Sequence, residues 1–370
     1  MDDFILKGNS NHFLKRLFDS EFASWFDLLT KCYSAPQVVT ALERHYRDDT
    51  INLAQHLIDT TIFRPSIRKI KTVGIIYSKL YDGGAEKVIS LLIPVYLKMG
   101  YSVVLILNES RPEKEYPIPD SVTKVVIPRT FSEGRAFALH TALVENHVDV
   151  VVHHRAKGNL FFFDMIIVKA MGIPFVIMHH QLATQNIVQY HKKWSLNFNY
   201  VKYKLADMLL VLTTMDQAYY NIMGCKPKII HNPIEFNLTK ANYKSDNNYI
   251  LWLGRLAKTQ KNYFDPVKIM KLVVRKRPDA KMVILGGDQR DSVDLRKFIE
   301  QEHLRDNVEW VPNTINVTEY YRGAKIHLLT SSFESFSMVI AESKSYGIPL
   351  VTYDMPYLEI LKDGKGYIAV

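Results

Sequence analysis

The stretch SSFESFSMVIAESKSYGIPLV, residues 331–351, carries the pattern from which the fold of the chain is predicted. An apolar run that ends at Leu329 predicts a buried strand before it, and the apolar residues from Phe336 onward predict a helix. Gly347 and Pro349 mark the end of that helix, and another apolar run follows. We therefore predict a strand–loop–helix–strand unit, as found in parallel α/β sheets.

Two carboxylates have separate places in this unit. Glu334 lies in the loop and can accept hydrogen bonds from sugar hydroxyls. Glu342 lies roughly 9–12 Å further along the helix axis, within reach of a ribose. The backbone N–H groups of Ser335, Phe336 and Ser337 lie at the helix N-terminus, which suits a phosphate or diphosphate. The same spacing also fits a capped helix that carries two surface acids.

The stretch resembles the Glu-x7-Glu motif of retaining glycosyltransferases of family 4, which have the GT-B fold. Within that family it resembles the bacterial enzymes of surface-polysaccharide synthesis. The resemblance implies that Glu334 contacts the donor sugar and that Glu342 contacts the ribose. Family members often have glycine after the first glutamate and again two residues later, where this chain has Ser335 and Ser337. Serine keeps the backbone amide but restricts φ, so this departure bears on the choice of sugar more than on the reaction class.

The length of 370 residues fits two domains, and 47% hydrophobic residues suffice for two cores. The sequence contains no uncharged apolar run of roughly 18 residues, so we expect no transmembrane helix. The acidic start of the chain does not resemble an export signal. Cys32 and Cys225 lie far apart without metal-ligand spacing, which favours a reducing compartment. We expect a cytoplasmic protein, with peripheral attachment to the inner face of the membrane as an option.

The formal net charge of +9 favours anionic partners such as phosphates or an anionic membrane surface. Basic clusters lie at residues 68–71, 192–193 and 275–277. None of them is interleaved with aromatic residues in a recognised nucleic-acid motif, so we expect no nucleic-acid partner. Solvated surface charge would also explain most of these side chains.

Changes of pattern along the chain suggest its domains. Residues 1–67 show apolar residues at helical spacing and predict a helical section whose role is open. Residues 68–236 predict a Rossmann-like domain, residues 237–248 a polar linker, and residues 249–370 a second Rossmann-like domain. The resemblance implies a GT-B arrangement, with an acceptor domain and a nucleotide-sugar donor domain that face a cleft. Compared with the family, the C-terminal domain looks truncated.

The first predicted strand, VGIIYS at residues 73–78, is followed by Gly83 and Gly84 and then by a helix. These glycines would let the backbone turn tightly and approach a ligand closely, although a tight turn alone would also explain them. The loop resembles the family's GGAE loop, which implies that Gly83 and Gly84 take part in donor binding. For Glu86 we expect a role in stabilising the helix.

Histidine pairs follow two of the predicted strands, His153 and His154 after one and His179 and His180 after another. The ligand crevice of an open α/β sheet lies at the carboxyl ends of its strands, so these side chains are site candidates. The resemblance implies that a histidine lines the sugar site, and we assign this catalytic role to His180 or His179, with His154 behind them. Which member of each pair points inward is open, because consecutive strand residues face opposite ways.

Cations follow the first strand of the second domain in GRLAKTQK, residues 254–261. The resemblance implies that Arg255 and Lys261 neutralise the donor diphosphate, Arg255 as a fork of N–H donors and Lys261 as a point charge. Lys258 is a nearby alternative, and solvated charge would also explain these residues. The sequence contains no Asp-x-Asp motif, so we expect no metal ion and no other cofactor.

The leading prediction is a retaining hexosyltransferase of the EC 2.4 type. It would move a hexose from a UDP- or GDP-linked donor to a saccharide or lipid-linked acceptor in cell-surface polysaccharide synthesis. Two alternatives stay open: a nucleotide-sugar epimerase of the same fold, and a non-catalytic nucleotide-binding assembly subunit. A dinucleotide oxidoreductase is disfavoured, because no G-x-G-x-x-G follows the first strand of either domain.

Overall fold

The computed structural model describes residues 69–130, 133–154, 159–183, 203–222, 224–235, 248–355, 358–362 and 367–370. The predicted helical section, residues 1–67, and the predicted linker up to residue 247 lie outside these ranges. The chain divides into two compact units, Met1–His231 and Asn232–Val370. This division falls slightly before the predicted domain end at residue 236.

The described part of the first unit contains one seven-stranded sheet. Its strands are β1 Thr72–Tyr77, β2 Ser102–Leu107, β3 Thr123–Val126, β4 Val150–His153, β5 Phe175–Met178, β6 Met208–Val211 and β7 Lys228–Ile229. Their order is β3-β2-β1-β4-β5-β6-β7, and the pairings are parallel. Central strands of parallel sheets are covered on both faces, which explains why all four residues of β4 are buried.

Helices form several of the connections between these strands, as is usual for crossovers between parallel strands, whereas the connection from β2 to β3 contains no helix. Those described in the first unit are α1 Gly84–Lys98, α2 Glu133–Glu145, α3 Asn159–Ala170 and α4 Thr214–Ile222. Helix α1 buries Val88, Ile89 and Ile93, which recur at helical spacing along one face. The periodic apolar face thus accounts for the layer of helices on the sheet.

The described part of the second unit contains a six-stranded parallel sheet. Its strands are β8 Tyr249–Leu253, β9 Lys281–Leu285, β10 Val308–Val311, β11 Ala324–Leu329, β12 Leu350–Thr352 and β13 Tyr367–Ala369, in the order β10-β9-β8-β11-β12-β13. The helices are α5 Lys258–Lys261, α6 Asp265–Lys276, α7 Val293–Gln301, α8 Thr318–Gly323, α9 Met338–Ser345 and α10 Glu359–Lys362. Trp252, Met270 and Ile284 are fully buried in the core of one face.

In both sheets the first strand of the chain lies in the interior, and the side on which later strands are added then changes. In each unit the chain adds two strands on one side of the first strand and then crosses to its other side. The change of side creates a topological switch point between β1 and β4 and another between β8 and β11. Open α/β sheets bind ligands at such points. The structure confirms the prediction of an α/β chain with two Rossmann-like domains.

The strands predicted before residue 331 and after Pro349 are present as β11 and β12, and the differences from the prediction lie at the ends of elements. Strand β9 ends at Leu285, because Gly286 and Gly287 adopt positive φ values of 143° and 70° and turn the chain. The predicted helix begins at Met338 rather than Phe336, since Ser337 has a left-handed φ of 62° that a right-handed helix cannot contain.

Candidate active site

Lys261 and Glu334, both predicted to bind the donor, lie together beside the switch point of the second sheet. Lys261 ends helix α5, which follows β8, and Glu334 lies in the loop that follows β11. The Lys261 Nζ atom is 2.5 Å from the Glu334 Oε1 atom. Both residues are buried, with exposed fractions of 7% and 6%. Such a pair contributes little net stability, because the desolvation of two charges offsets their attraction, so a role in binding or chemistry explains it better.

Hydrogen bonds hold the Lys261 segment against the end of β11. The hydroxyl of Thr330 donates to the Lys261 carbonyl at 2.8 Å and accepts from the Trp252 indole N–H at 2.9 Å. The backbone N–H of Ser332 donates to the Gln260 carbonyl at 2.8 Å. Neither Trp252 nor Thr330 was predicted as part of the site, because each looks like an ordinary strand residue in the sequence.

The other two cations of this loop have different partners. Arg255 is exposed, and its guanidinium donates to Gln260 Oε1 at 3.2 Å. Lys258 is also exposed, and its Nζ atom lies 3.0 Å from Asp294 Oδ2 on α7. The structure therefore brings Lys261 to the glutamate of the motif and leaves Lys258 in a surface ion pair.

The loop after Glu334 has a glycine-like backbone with serine side chains. Ser337 caps helix α9 with φ 62° and ψ 89°, a left-handed conformation that costs a non-glycine residue about 1–2 kcal/mol. The hydroxyl oxygens of Ser337 and Ser331 are buried and have no hydrogen-bond partner among the described residues. Backbone strain and unsatisfied buried polar groups concentrate at functional sites, so both features favour a binding role for this loop.

The second glutamate of the motif is held by a residue that was not predicted. Tyr321 in α8 is fully buried, and its hydroxyl donates to Glu342 Oε2 at 2.7 Å. Burial, followed by the charge of Glu342 and this hydrogen bond, raises the pKa of Tyr321 well above its ordinary value. The phenol therefore keeps its proton. The sequence offered no signal for Tyr321, because an aromatic residue in a short helix is usually a core residue.

A histidine lies in the interior of the second unit. His327 on β11 is fully buried, and its Nδ1 atom is hydrogen-bonded to the Ser343 hydroxyl on α9. Burial, followed by the positive charge of Lys261, lowers the pKa of His327 to about 3. The neutral ring therefore joins β11 to α9 without adding a positive charge near Lys261.

In the first unit, two of the four predicted histidines form a pair at the carboxyl ends of β4 and β5. His154 Nδ1 is 2.9 Å from His180 Nε2, and the rings stack with centroids 5.1 Å apart. His180 is partly exposed, whereas His154 is buried. Burial lowers the pKa of His180 to about 4. Burial and then the neighbouring imidazoles hold the pKa of His154 well below its ordinary value, so both rings are neutral near pH 7.

The other two histidines pack into the interior. His153 Nε2 is 3.7 Å from a buried carboxylate oxygen of Asp164. His179 meets the rings of Tyr203 and Tyr220 edge-on, with centroids 5.7 Å and 5.6 Å away. Of His179 and His180, it is therefore His180 that has an exposed surface.

The glycine loop of the first unit turns at a neighbouring residue. Asp82 has the positive φ of 70°, while Gly83 is extended at −156° and Gly84 begins α1. A Cβ atom on Gly83 would collide with the carboxylate of Glu86, which is buried. The absence of a side chain at Gly83 thus makes room for the Glu86 carboxylate, and the role of Gly83 and Gly84 in donor binding stays a prediction.

In the described ranges, no group of three or more histidine, cysteine, aspartate or glutamate residues could hold a metal ion. Within those same ranges, no helix is both long and apolar enough to cross a membrane. For the whole chain, the absence of a metal requirement stays a prediction.

Two family models match the chain, one in each half. The model described as Glycosyltransferase Family 4 matches residues 82–238. The model described as Glycosyl transferases group 1 matches residues 234–370, which include Lys261, Glu334 and Glu342.

Two curated proteins are similar to parts of the chain. It is 29% identical over 178 residues to the amylovoran biosynthesis glycosyltransferase AmsD of Erwinia amylovora, which covers 45% of this chain and 49% of AmsD. It is 33% identical over 171 residues to the poly(glycerol-phosphate) alpha-glucosyltransferase of Bacillus subtilis strain 168, which covers 45% of this chain and 24% of that protein. The chain thus spans about half the length of the first relative and about a quarter of the second.

A solved structure extends the likeness to most of the chain. Anabaena HepE in complex with UDP and glucose has a TM-score of 0.62 at 15% identity, over 81% of this chain and 86% of HepE. At this identity the likeness concerns the fold. Each half of the chain therefore matches a glycosyltransferase family model, and its two Rossmann-like domains have the GT-B fold class.

Proposed function

We propose that the protein transfers a hexose from a nucleotide diphosphate sugar to an acceptor hydroxyl with retention at the anomeric carbon. The buried ion pair between Lys261 and Glu334 carries the proposal, because it joins a fixed cation to a fixed hydrogen-bond acceptor beside a switch point. Glu342, on the helix that follows, supplies a second acceptor.

The donor groups in the second unit have complementary roles in this proposal. Lys261 and Arg255 balance the charge that develops on the leaving diphosphate, together with the N–H groups at the start of α9. Glu334 accepts hydrogen bonds from the hexose, and Glu342 accepts them from the ribose. The unsatisfied hydroxyl of Ser337 supports a polar ligand at this loop.

We assign the histidine role in the first unit to His180. His180 is the more exposed residue of the two, and its Nδ1 atom is buried without a hydrogen-bond partner among the described residues, whereas His179 is enclosed by tyrosine rings. Because its pKa is lowered to about 4, His180 binds as a neutral group near pH 7. His154, 2.9 Å away, fixes the orientation of its ring.

The transfer step balances with the two substrates alone. The bond between the anomeric carbon and the diphosphate breaks, and the bond to the acceptor oxygen forms on the same face. The proton of the acceptor hydroxyl passes to a diphosphate oxygen. Because side chains and N–H groups supply the positive charge in this scheme, chelation of divalent metal ions should change the rate by less than about twofold.

The donor and acceptor classes draw support from the similar proteins. HepE was solved with UDP and glucose, which favours a UDP-linked hexose. AmsD is named for amylovoran biosynthesis and the Bacillus relative for poly(glycerol-phosphate). We propose a saccharide or lipid-linked saccharide of surface polysaccharide synthesis as the acceptor, used at the cytoplasmic face of the membrane.

A panel of UDP- and GDP-sugars tests this function on the full chain, by donor hydrolysis and by thermal stabilisation. A true donor at 100 times its Kd should stabilise the fold by about 2.7 kcal/mol. Glu334→Gln and Lys261→Met should lower turnover by about 100-fold or more. Lys258→Met, an equal change three residues earlier, should leave turnover unchanged, because Lys258 pairs with Asp294 at the surface.

The double variant Lys261→Met/Glu334→Gln leaves no unpaired buried charge, so it should fold. Circular dichroism checks that each variant is folded, so that a loss of turnover can be assigned to the chemistry. Full turnover in a folded Lys261→Met variant would contradict the proposal. Stabilisation by a nucleotide sugar without turnover would instead support a nucleotide-binding subunit.

A further inference from the structure

We infer that Tyr321 is a positioning residue that orients the Glu342 carboxylate toward the ribose of the donor. The inference rests on the proposed function and extends it to a residue outside the motif. The Tyr321 hydroxyl donates to Glu342 Oε2 at 2.7 Å from the interior of the unit. A carboxylate accepts several hydrogen bonds through its two oxygens. The bond from Tyr321 therefore fixes one oxygen of the carboxylate from the interior, at a residue that is half-buried.

The Tyr321 ring is itself fixed by its neighbours. It stacks on Tyr346 with ring centroids 5.0 Å apart and planes 11° apart. The Tyr346 hydroxyl donates to Thr318 Oγ1 on α8 at 3.1 Å, and the His327 ring lies 6.0 Å from the Tyr321 ring in an edge-on contact. Because the ring is held in this way, its hydroxyl is a fixed point, and the carboxylate bonded to it is preorganised for binding.

The direction of the hydrogen bond suits a ribose. The raised pKa of Tyr321 keeps its proton on the phenol, so the phenol donates and the Glu342 oxygen accepts. The 2′- and 3′-hydroxyls of a ribose are donors to such an acceptor. Tyr321 donates to one of about four lone pairs of the carboxylate, and a ribose hydroxyl can donate to another.

A mere tie between α8 and α9 is the other role that this bond could have, and a second tyrosine separates the two. The Tyr249 hydroxyl donates to the Tyr320 carbonyl of α8 at 2.8 Å. Tyr249→Phe therefore removes a tyrosine hydrogen bond from the same helix without touching Glu342. Tyr321→Phe keeps the stacked ring and removes only the hydroxyl that meets the carboxylate.

The experiment measures the affinity of the full chain for UDP and GDP, and for 2′,3′-dideoxy-UDP and 2′,3′-dideoxy-GDP, by titration calorimetry. Tyr321→Phe should weaken binding of the ribonucleotide about five- to tenfold, the effect typical of one hydrogen bond. It should leave the affinity for the dideoxynucleotide unchanged. Tyr249→Phe should change neither affinity. In turnover, Tyr321→Phe should raise KM for the donor and leave kcat unchanged.

The possible outcomes distinguish the loss of the Tyr321 role from the loss of the proposed function. Equal weakening of ribo- and dideoxynucleotide by Tyr321→Phe would overturn the inference in favour of a structural tie, and so would no weakening at all. Glu342→Gln should abolish the preference for ribose, and if it does so while Tyr321→Phe does not weaken it, only the Tyr321 inference is lost. If the wild-type chain binds neither UDP nor GDP, the proposed function is lost and the inference with it.

Discussion

Ser337 has a backbone conformation that glycine adopts without cost. Its φ of 62° is strained for any side chain, and its buried hydroxyl has no hydrogen-bond partner among the described residues. The sequence showed that serine replaces a frequent glycine of the motif. It could not show whether the backbone had changed as well, because φ depends on the packing of β11 and α9 around the loop.

Ser337→Gly should therefore stabilise the protein. Relief of the left-handed conformation contributes about 1–2 kcal/mol, and the greater freedom of glycine in the unfolded chain offsets about 0.5–1 kcal/mol. A net gain of about 1 kcal/mol should be visible as a higher urea midpoint. Ser335→Gly is the matched control: Ser335 is not among the described residues with positive φ, so its replacement should give no gain. An equal gain at both positions would contradict this explanation.

The strand–loop–helix element from β11 to α9 depends on contacts that sequence patterns do not reveal. The strand, the loop and the helix were predictable from apolar runs and glycine positions. Thr330 and Tyr321 were not, because their partners are 69 and 21 residues away and depend on the strand order. Lys261 and Glu334 could be predicted as site residues from motifs, since both lie at recognisable positions after strands.

His327 should make the stability of this element sensitive to acid. Its pKa is about 3 in the folded chain and about 6.5 when unfolded. The unfolded chain therefore binds a proton below pH 6.5 that the folded chain refuses. Stability contributed by the neutral ring is present above pH 6.5 and is lost at about 1.4 kcal/mol per pH unit as the pH falls toward 3.

His327→Gln should thus lose less stability than the wild type between pH 6.5 and pH 4.5 in urea unfolding. The substitution itself lowers stability by an amount that does not depend on pH, so the slope is the informative quantity. Equal slopes for variant and wild type would show that the ring is protonated in the folded chain.

Thr330 links the same element to the Lys261 segment. Thr330→Val removes its bonds to Trp252 and Lys261 and leaves a buried indole N–H without an acceptor, which should cost about 1–3 kcal/mol. Thr330→Ser keeps the hydroxyl and should recover most of that loss in thermal unfolding. If serine recovers none of it, packing of the threonine methyl group explains the effect instead.

For the whole molecule, the sequence predicted two parallel sheets because central strands of such sheets are continuous apolar runs. It predicted less about the helices that cover the sheets, because these helices carry both apolar and polar residues. It predicted nothing about which of two adjacent histidines is exposed. That choice depends on how β5 is packed, which places His179 among tyrosines and leaves His180 partly exposed.

The net charge of +9 leads to a prediction for the full chain. It should sediment with vesicles that contain phosphatidylglycerol, since an anionic surface attracts basic side chains. Raising the salt concentration from about 0.05 M to about 0.5 M should release it, because screening shortens the range of the attraction. Vesicles of phosphatidylcholine alone serve as the control. Binding that is equal on both lipids would point to insertion of apolar side chains.

The order of the second sheet also determines when its parts can assemble during translation. Strand β8 is synthesised first, but β11, its neighbour on one side, leaves the ribosome only after β9 and β10. Until then one flank of β8 lacks its partner, and Lys261 has no Glu334 to meet. A nascent chain that pauses between β10 and β11 therefore exposes one edge of an apolar strand to pairing with other chains.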